Sequence, residues 1–435
     1  MLVQKNMKKK KWLALVLSSV VSLSLLAGCS GGSEDKNNEA KATSDGNKTE
    51  LEFFSNKQES IQTLQTLIDK FNAQSKTVSI KLNAPADPDT VLKTRMAKGD
   101  MPDIVANSGA RMFTELTSSG FLENMAGEEF YDKINPSYLE MMYGASAGEE
   151  GAAYGVPYAA NASGVIYNKD LFEQAKVEIP KTWDELMDVC KKFEEKGITP
   201  FELTMKTSWT VYSSWNALAA GNQPDNFIQD RKEGKTSFLN THKVVAESLS
   251  KIADNAQKDY MGTSYEDGTA AFANGDAAML LNGNWAIPEC LKTNPEMNVD
   301  MFAFPSTNNA EKTKVVSGLD VIMMMSTDCA DKEGAKEFFR FMVEEENAKQ
   351  YIKEQAAFSC VADVEQDDTT VAGIRQDIAD GKVVETVDYS YPDGFDLGAI
   401  ISEFYLNKTN GVDETKNIEE TLKKCDEQFD VLNVK

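Results

Sequence analysis

Between residues 51 and 107 the hydrophobic period switches from two to about 3.6 and back, twice. "LEFFSN" (51–56) reads as a buried strand, and Ile61, Leu64, Ile68 and Phe71 then recur at helical spacing. "TVSIKLNA" (77–84) alternates like a strand, "DTVLKTRMAKG" (89–99) is a helix with a glycine stop, and "MPDIVANSG" (101–109) is a third strand. A β-α-β-α-β order predicts a parallel, doubly wound sheet, because a right-handed crossover helix must pack back onto the strands it joins. Ligands of such sheets sit outside the C-terminal strand ends. Those ends fall at Asn56–Glu59 and Asn107–Arg111, so Asn56, Gln58, Glu59 and Arg111 are the first site candidates. Glu59 has a plainer alternative as a complement to a helix N-terminal dipole.

The same vocabulary continues. "YGVPYAANASGVIYNKDLFEQA" (154–175) predicts a strand, a small-residue stretch and a second strand at Gly164–Tyr167. In "KTWDELMDVCKKFEEKG" (181–197), Thr182 is an N-cap, Glu185 completes a capping box and Gly197 stops the helix. Trp183, in its first turn, reads as packing. Trp209, Tyr212 and Trp215 crowd three aromatics into seven residues among Ser and Thr. "AMLLNGNW" (278–285) is an apolar strand, then a turn at Asn282-Gly283-Asn284, then Trp285. "VVSGLDVIMMM" (315–325) is a buried strand broken at Gly318, followed by a helix pair over 331–355 and a helical C-terminus over 398–432.

The N-terminus is of another kind. Lys5 and Lys8 to Lys11 precede an apolar run from Trp12 to Ala27, shorter than the roughly 20 residues that span a bilayer. Leu26-Ala27-Gly28-Cys29 resembles a bacterial lipobox, which implies cleavage after Gly28 and lipidation of Cys29. Residues 29–50 are polar apart from alanine and read as a disordered tether. Removing residues 1–28 takes away five lysines and no acids, so a net charge of −24 becomes −29. An acidic surface of this kind repels phosphate backbones and argues against nucleic acid. His242 is the single histidine, placed by its polar neighbours on the surface or at a helix cap, so multi-histidine metal sites are excluded. The remaining cysteines (190, 290, 329, 360 and 425) are scattered without metal-site spacing, and the methionines read as core filling. No resident metal or cofactor is expected. "DVEQDD" (363–368) reads as a solvated loop, with calcium a minor alternative.

Taken in order, "PDIV" (102–105), "YGVPYAANASGVIYNKDLF" with "PKTWDEL", "FANGDAAMLLNGNW", "SGLDVIMMM" and "KEGAKEFFRFMV" resemble the extracellular solute-binding proteins of sugar-importing ATP-binding-cassette transporters, the group that includes maltose-binding protein. The resemblance covers essentially the whole mature chain. It implies an α/β fold of the periplasmic-binding-protein type II: two doubly wound lobes, a ligand cleft and hinge crossings. The crossings would lie near residues 159–162, 317–320 and 383–387. Lobe 1 would be 50–159 plus 321–380, and lobe 2 would be 160–320 plus 381–435. A carbohydrate, with an oligosaccharide expected, would bind in the cleft of a monomer held outside the cell by its lipid. Closure would signal occupancy to the transmembrane permease.

A neutral sugar offers apolar C–H faces and a ring of hydroxyls, which suit aromatic platforms and planar amides or carboxylates. Trp285, after a glycine turn at a strand end, sits where the family stacks a tryptophan, with Asn284 beside it. Tyr212 matches a family ligand aromatic, and Trp209 and Trp215 are its neighbours. Asn161 lies at the first crossing. Asp320 is a carboxylate in an apolar strand and needs a partner there. Phe395 and Asp396 match a region where relatives place a stacker, but the tryptophan of maltose-binding protein is absent there, which argues against maltodextrin. Two other classes stay open. One is a lipid-anchored glycosidase, which needs two carboxyls roughly 5–9.5 Å apart. The other is the same fold with a polyamine or iron-chelate ligand.

Overall fold

Leu51, Phe53 and Phe54 on β1 (Thr49–Ser55) are fully buried, as befits a strand with a neighbour on each side. The structure, a computed structural model, describes residues 48–380, 382–392 and 394–433. The apolar leader, Cys29 and the tether up to residue 47 lie outside these residues. The strand starts at Thr49, inside the stretch read as tether, because Thr49 and Glu50 pair with Val78 and Ser79.

Helix α1 (Ile61–Gln74) buries Leu64, Ile68 and Phe71, as their spacing predicts, together with Leu67, whereas Ile61 in its first turn is exposed. It leads to β2 (Val78–Asn83), α2 (Pro88–Lys98) and β3 (Ile104–Asn107). Asp87 caps α2, and Gly99 ends it at φ 67°, a left-handed position that favours glycine. Strands β2 and β3 flank β1 in parallel, and α3 (Ala110–Ser119) follows β3.

Two long strands then organise everything else. β4 (Val156–Asn168) and β8 (Val315–Met325) are antiparallel partners from Val156–Met323 to Ser163–Val316. Both were expected to break at their small residues, and both run through. Neither Gly318 nor Ala159–Ala162 interrupts pairing. All eleven residues of β8 are buried, so a break would strand unpaired backbone groups in the interior. The irregularity is confined to register shifts around Ala159.

Along each strand the neighbours change. The C-terminal half of β8 pairs with β3, antiparallel, at Ile322–Met325. The sheet is therefore mixed, with β8 inserted after the parallel trio. The N-terminal half of β4 pairs with β9 (Phe358–Ser359), and its second half pairs with β6 (Ala277–Gly283) and β7 (Val299–Phe302). Beyond these lie β5 (Thr199–Glu202), parallel to β6, and β10 (Val383–Glu385), parallel to the start of β8.

Two hydrophobic cores result. In the first, Phe53 and Phe71 meet Phe338 edge-on at 5.5 and 5.1 Å. In the second, Trp215, Phe238, Tyr391, Phe395 and Phe429 pack together. His242 belongs to this second core and not to the surface. It is fully buried, its ring lies parallel to Trp215 at 5.6 Å, and Thr241 and Gln223 satisfy its two nitrogens. The five cysteines among the described residues are free and buried.

Candidate functional site

The C-terminal ends of β1 and β3 face the middle of β4 and β8, and a polar cluster fills the place. Lys57, just past β1, turns inward. Its ammonium lies 2.6 Å from an Asp320 carboxylate oxygen and 3.2 Å from one of Glu59. The Asn161 amide, from the middle of β4, donates to the same Asp320 oxygen at 3.2 Å. A lone carboxylate inside an apolar strand is costly, and the lysine and amide are the compensation. Burial on its own lowers a lysine pKa; here the charges of Asp320 and Glu59 outweigh it and raise that of Lys57, so the ammonium stays charged. Tyr389 packs over this cluster. A Cβ on Gly109 would sit 2.8 Å from its hydroxyl oxygen, closer than side chains pack, and one on Gly318 would make a tight contact with its ring at 3.3 Å.

An aromatic wall stands near it. Three helices of this half, α4 (Trp183–Glu195), α5 (Val211–Asn222) and α6 (Tyr265–Ala273), precede β6; the strand ends at Gly283, the chain turns through Asn284 and Trp285, and α7 (Ala286–Thr293) begins. A Cβ on Gly283 would lie 2.1–2.5 Å from the six-membered ring of Trp285, so the missing side chain is what lets the indole lie back on the strand. The ring centroid of Trp285 is 6.4 Å from that of Trp209, at an interplanar angle of 55°. Trp209 in turn lies 5.0 Å from Tyr265 and is 41% exposed, unusually open for a tryptophan. Burial and the neighbouring charge of Glu59 raise the Tyr265 phenol well above its ordinary pKa, so it stays a donor.

Five buried polar atoms at these strand ends have no hydrogen-bond partner in the protein: Asn56 Oδ1, Asn107 Oδ1, Tyr265 Oη, Asn282 Nδ2 and Asn284 Nδ2. Buried polar atoms are paired in the great majority of cases, and each orphan costs about 1–3 kcal/mol. Both strands that end at this place, and the turn before Trp285, contribute to the set. The other ends of all four amides are held: Asn56 donates to Ser108 Oγ at 2.8 Å, the Ala162 N–H donates to Asn284 Oδ1 at 2.6 Å, Asn107 donates to the Ser108 carbonyl at 3.1 Å, and the Gly283 N–H donates to Asn282 Oδ1 at 3.0 Å. The free ends are thus fixed in orientation.

A sequence model described as "Bacterial extracellular solute-binding protein" matches residues 55–349. The chain belongs to this family. Among the relatives of this solute-binding protein, the Multiple sugar-binding protein of Streptococcus mutans is 29% identical over 381 residues, 84% of this chain and 85% of the relative. Among solved structures, the solute-binding protein RafE in complex with raffinose superposes with a TM-score of 0.77 at 22% identity, covering 89% of this chain and 100% of that one. A sugar transporter from Bacillus licheniformis in complex with stachyose gives 0.72 at 17%, covering 87% and 100%. These likenesses show the type II solute-binding fold.

The structure brings Glu59, Asn56, Asn161, Asp320, Trp209, Asn284 and Trp285 to this place, and it puts other candidates to different uses. Trp215 is fully buried, and its indole N–H donates to Tyr391 Oη at 3.1 Å, so no face remains for a ligand. Phe395 is likewise sealed between Phe238 and Phe429. Asp396 caps the helix Leu397–Thr409, accepting the Ala399 N–H at 3.0 Å. Gln58 points outward and donates to the Pro85 carbonyl. Tyr212 is half-buried, and its hydroxyl accepts the Gly398 N–H at 3.3 Å. Arg111 reaches from α3 to the 388–395 segment, donating to the Phe395 and Asp388 carbonyls at 3.0 and 3.3 Å. Asp388 is itself held by Asn216 of α5.

Sequence reasoning overlooked Lys57, Tyr265, Tyr389, Asn107 and Asn282. Lys57 looked like part of a polar break after the first strand. Tyr265 carried one usable signal: it directly follows Ser264, the N-cap of α6, and so stands in the first turn of a helix.

Proposed function

We propose that this chain is the substrate-binding component of an ATP-binding-cassette sugar importer. It takes a neutral carbohydrate between the aromatic wall and the polar cluster and delivers it to the permease without altering it. The observation that carries the reading is the wall of Trp285, Trp209 and Tyr265 beside five unpaired polar atoms, four of them on amides held at their other end, a combination suited to a molecule with apolar faces and many hydroxyls. The relatives whose names mention sugars support it. Lys57 in the polar cluster is already engaged by two carboxylates, and Arg111, the basic candidate from the next strand end, by two carbonyls. An anionic iron chelate would lack a free cation. A polyamine would find Asp320 already matched with Lys57.

Lobe 1 is read as residues 50–159 plus 321–380 and lobe 2 as 160–320 plus 381–435. The exchange of strand partners along β4 and β8 supports this division: the C-terminal half of β8 pairs with β3, and the second half of β4 with β6 and β7. Hinge closure about these strands then buries the ligand. Cys29, with its acyl chains, would hold the monomer at the outer face of the cell membrane.

The test is a glycan panel read by intrinsic tryptophan fluorescence and calorimetry, with thin-layer analysis of the sugars afterwards. Reversible binding of a neutral sugar recovered intact is the expected result. Release of new reducing ends would make the chain a glycosidase, and binding of spermidine or a ferric chelate with no glycan bound would overturn the reading.

A further inference from the structure

Trp285 and Trp209 do not lie in one plane, and the difference bears on which sugars the wall accepts. Gly283 lies against the six-membered ring of Trp285, and the indole is only partly buried. Trp209 is braced by Tyr265 at 5.0 Å and keeps its own exposed side. The two centroids are 6.4 Å apart, close to the length of one sugar residue in a chain, so consecutive rings can each take a platform. The platforms are inclined by 55°. A β-1,4-linked chain is a flat ribbon whose ring faces stay nearly coplanar, and it would have to leave one indole in order to stack on the other. An α-linkage, or a linkage through a primary hydroxyl, turns the second ring relative to the first and lets both stack.

We propose that the ligand is an oligosaccharide of at least two pyranose rings, bent at the linkage that passes from Trp285 to Trp209. Trp209 is then the residue that selects chain length and linkage, while Trp285 holds the first ring. Tyr265 braces Trp209 and offers its unpaired hydroxyl at the bend. This inference rests on the sugar-binding reading above and goes further than it in naming the linkage geometry.

The experiment measures dissociation constants of the full mature chain for isomeric pairs: maltose against cellobiose, isomaltose against gentiobiose, and melibiose against lactose, with glucose and galactose as single rings. Trp209→Ala and Tyr265→Phe are measured beside the wild type. Expected is at least tenfold tighter binding of one or more α-linked or 6-linked disaccharides than of cellobiose and than of either single ring. In Trp209→Ala the advantage over the single ring falls to less than threefold. Cellobiose binding as tightly as the best α-linked or 6-linked sugar overturns the bend and leaves the sugar reading standing. A disaccharide advantage that survives Trp209→Ala overturns the two-platform assignment. Binding of no glycan at all overturns both. Circular dichroism of Trp209→Ala guards against misfolding, and because this ring is exposed the variant is expected to fold.

Discussion

Replacing Lys57 by methionine removes the ammonium from a pocket in which the side chains of Lys57 and Asp320 are only 9% and 6% exposed. Breaking a buried ion pair by deleting one partner costs about 3–5 kcal/mol, mostly because the remaining charge is left without compensation. Here Asp320 keeps the Asn161 amide, and Glu59, at 20% exposure, can turn to water, so the lower end, about 3 kcal/mol, applies. Roughly 380 ordered residues at about 2.1 cal/mol/K each give an unfolding entropy near 0.8 kcal/mol/K, so the melting temperature should fall by about 4 °C. The double variant Lys57→Met/Asp320→Asn removes both charges and should recover more than half of that loss. The effect should be the same from pH 6 to pH 9. The folded pKa of Lys57 is raised, so its contribution is complete below the unfolded value near 10.5 and is lost only as pH climbs through the folded one. Differential scanning calorimetry of the wild type and both variants supplies the numbers. A fall of less than 1 °C in Lys57→Met, or a double variant no more stable than the single one, would refute the claim that these charges depend on each other.

Three further outcomes follow from the same geometry. Trp285→Ala should weaken sugar binding at least tenfold and cost little stability, whereas Trp215→Ala, which empties a core site, should cost about 3–5 kcal/mol, with urea unfolding and calorimetry as the paired measurements. Burial lowers the His242 pKa to about 3, so its contribution is present above the unfolded value near 6.5 and is lost as pH falls; stability should drop by up to about 1.4 kcal/mol per pH unit below 6.5, and His242→Gln should flatten that slope in urea titrations at pH 7, 6 and 5. Arg111→Ala removes the two hydrogen bonds between α3 and the 388–395 segment, and if that segment moves with lobe 2 the unliganded protein should show a larger radius of gyration in small-angle scattering; an unchanged radius would assign Arg111 to local packing.

Much was legible in the chain itself. The alternation of strand and helix patterns over 51–107 determined a parallel trio, because side-chain period and capping chemistry are local properties. The N-cap at Thr182 and the glycine stop at Gly99 were readable for the same reason. The glycine before Trp285 marked a strand end, and the carboxylate in "GLDVIMMM" announced that a partner must exist. What the chain could not say was which partner. Lys57 stands 263 residues from Asp320 along the sequence, and only the pairing of β3 with β8 brings their strands together. Tertiary packing also decided the fate of the aromatics. Trp209 and Trp215 look alike in sequence, six residues apart, yet one is open and the other sealed against Tyr391 and His242, because burial depends on the neighbours that distant segments supply. The apparent breaks at Gly318 and Ala159–Ala162 were overruled similarly: small residues permit a break, but a strand buried on both sides has no water to satisfy its backbone, and it stays paired.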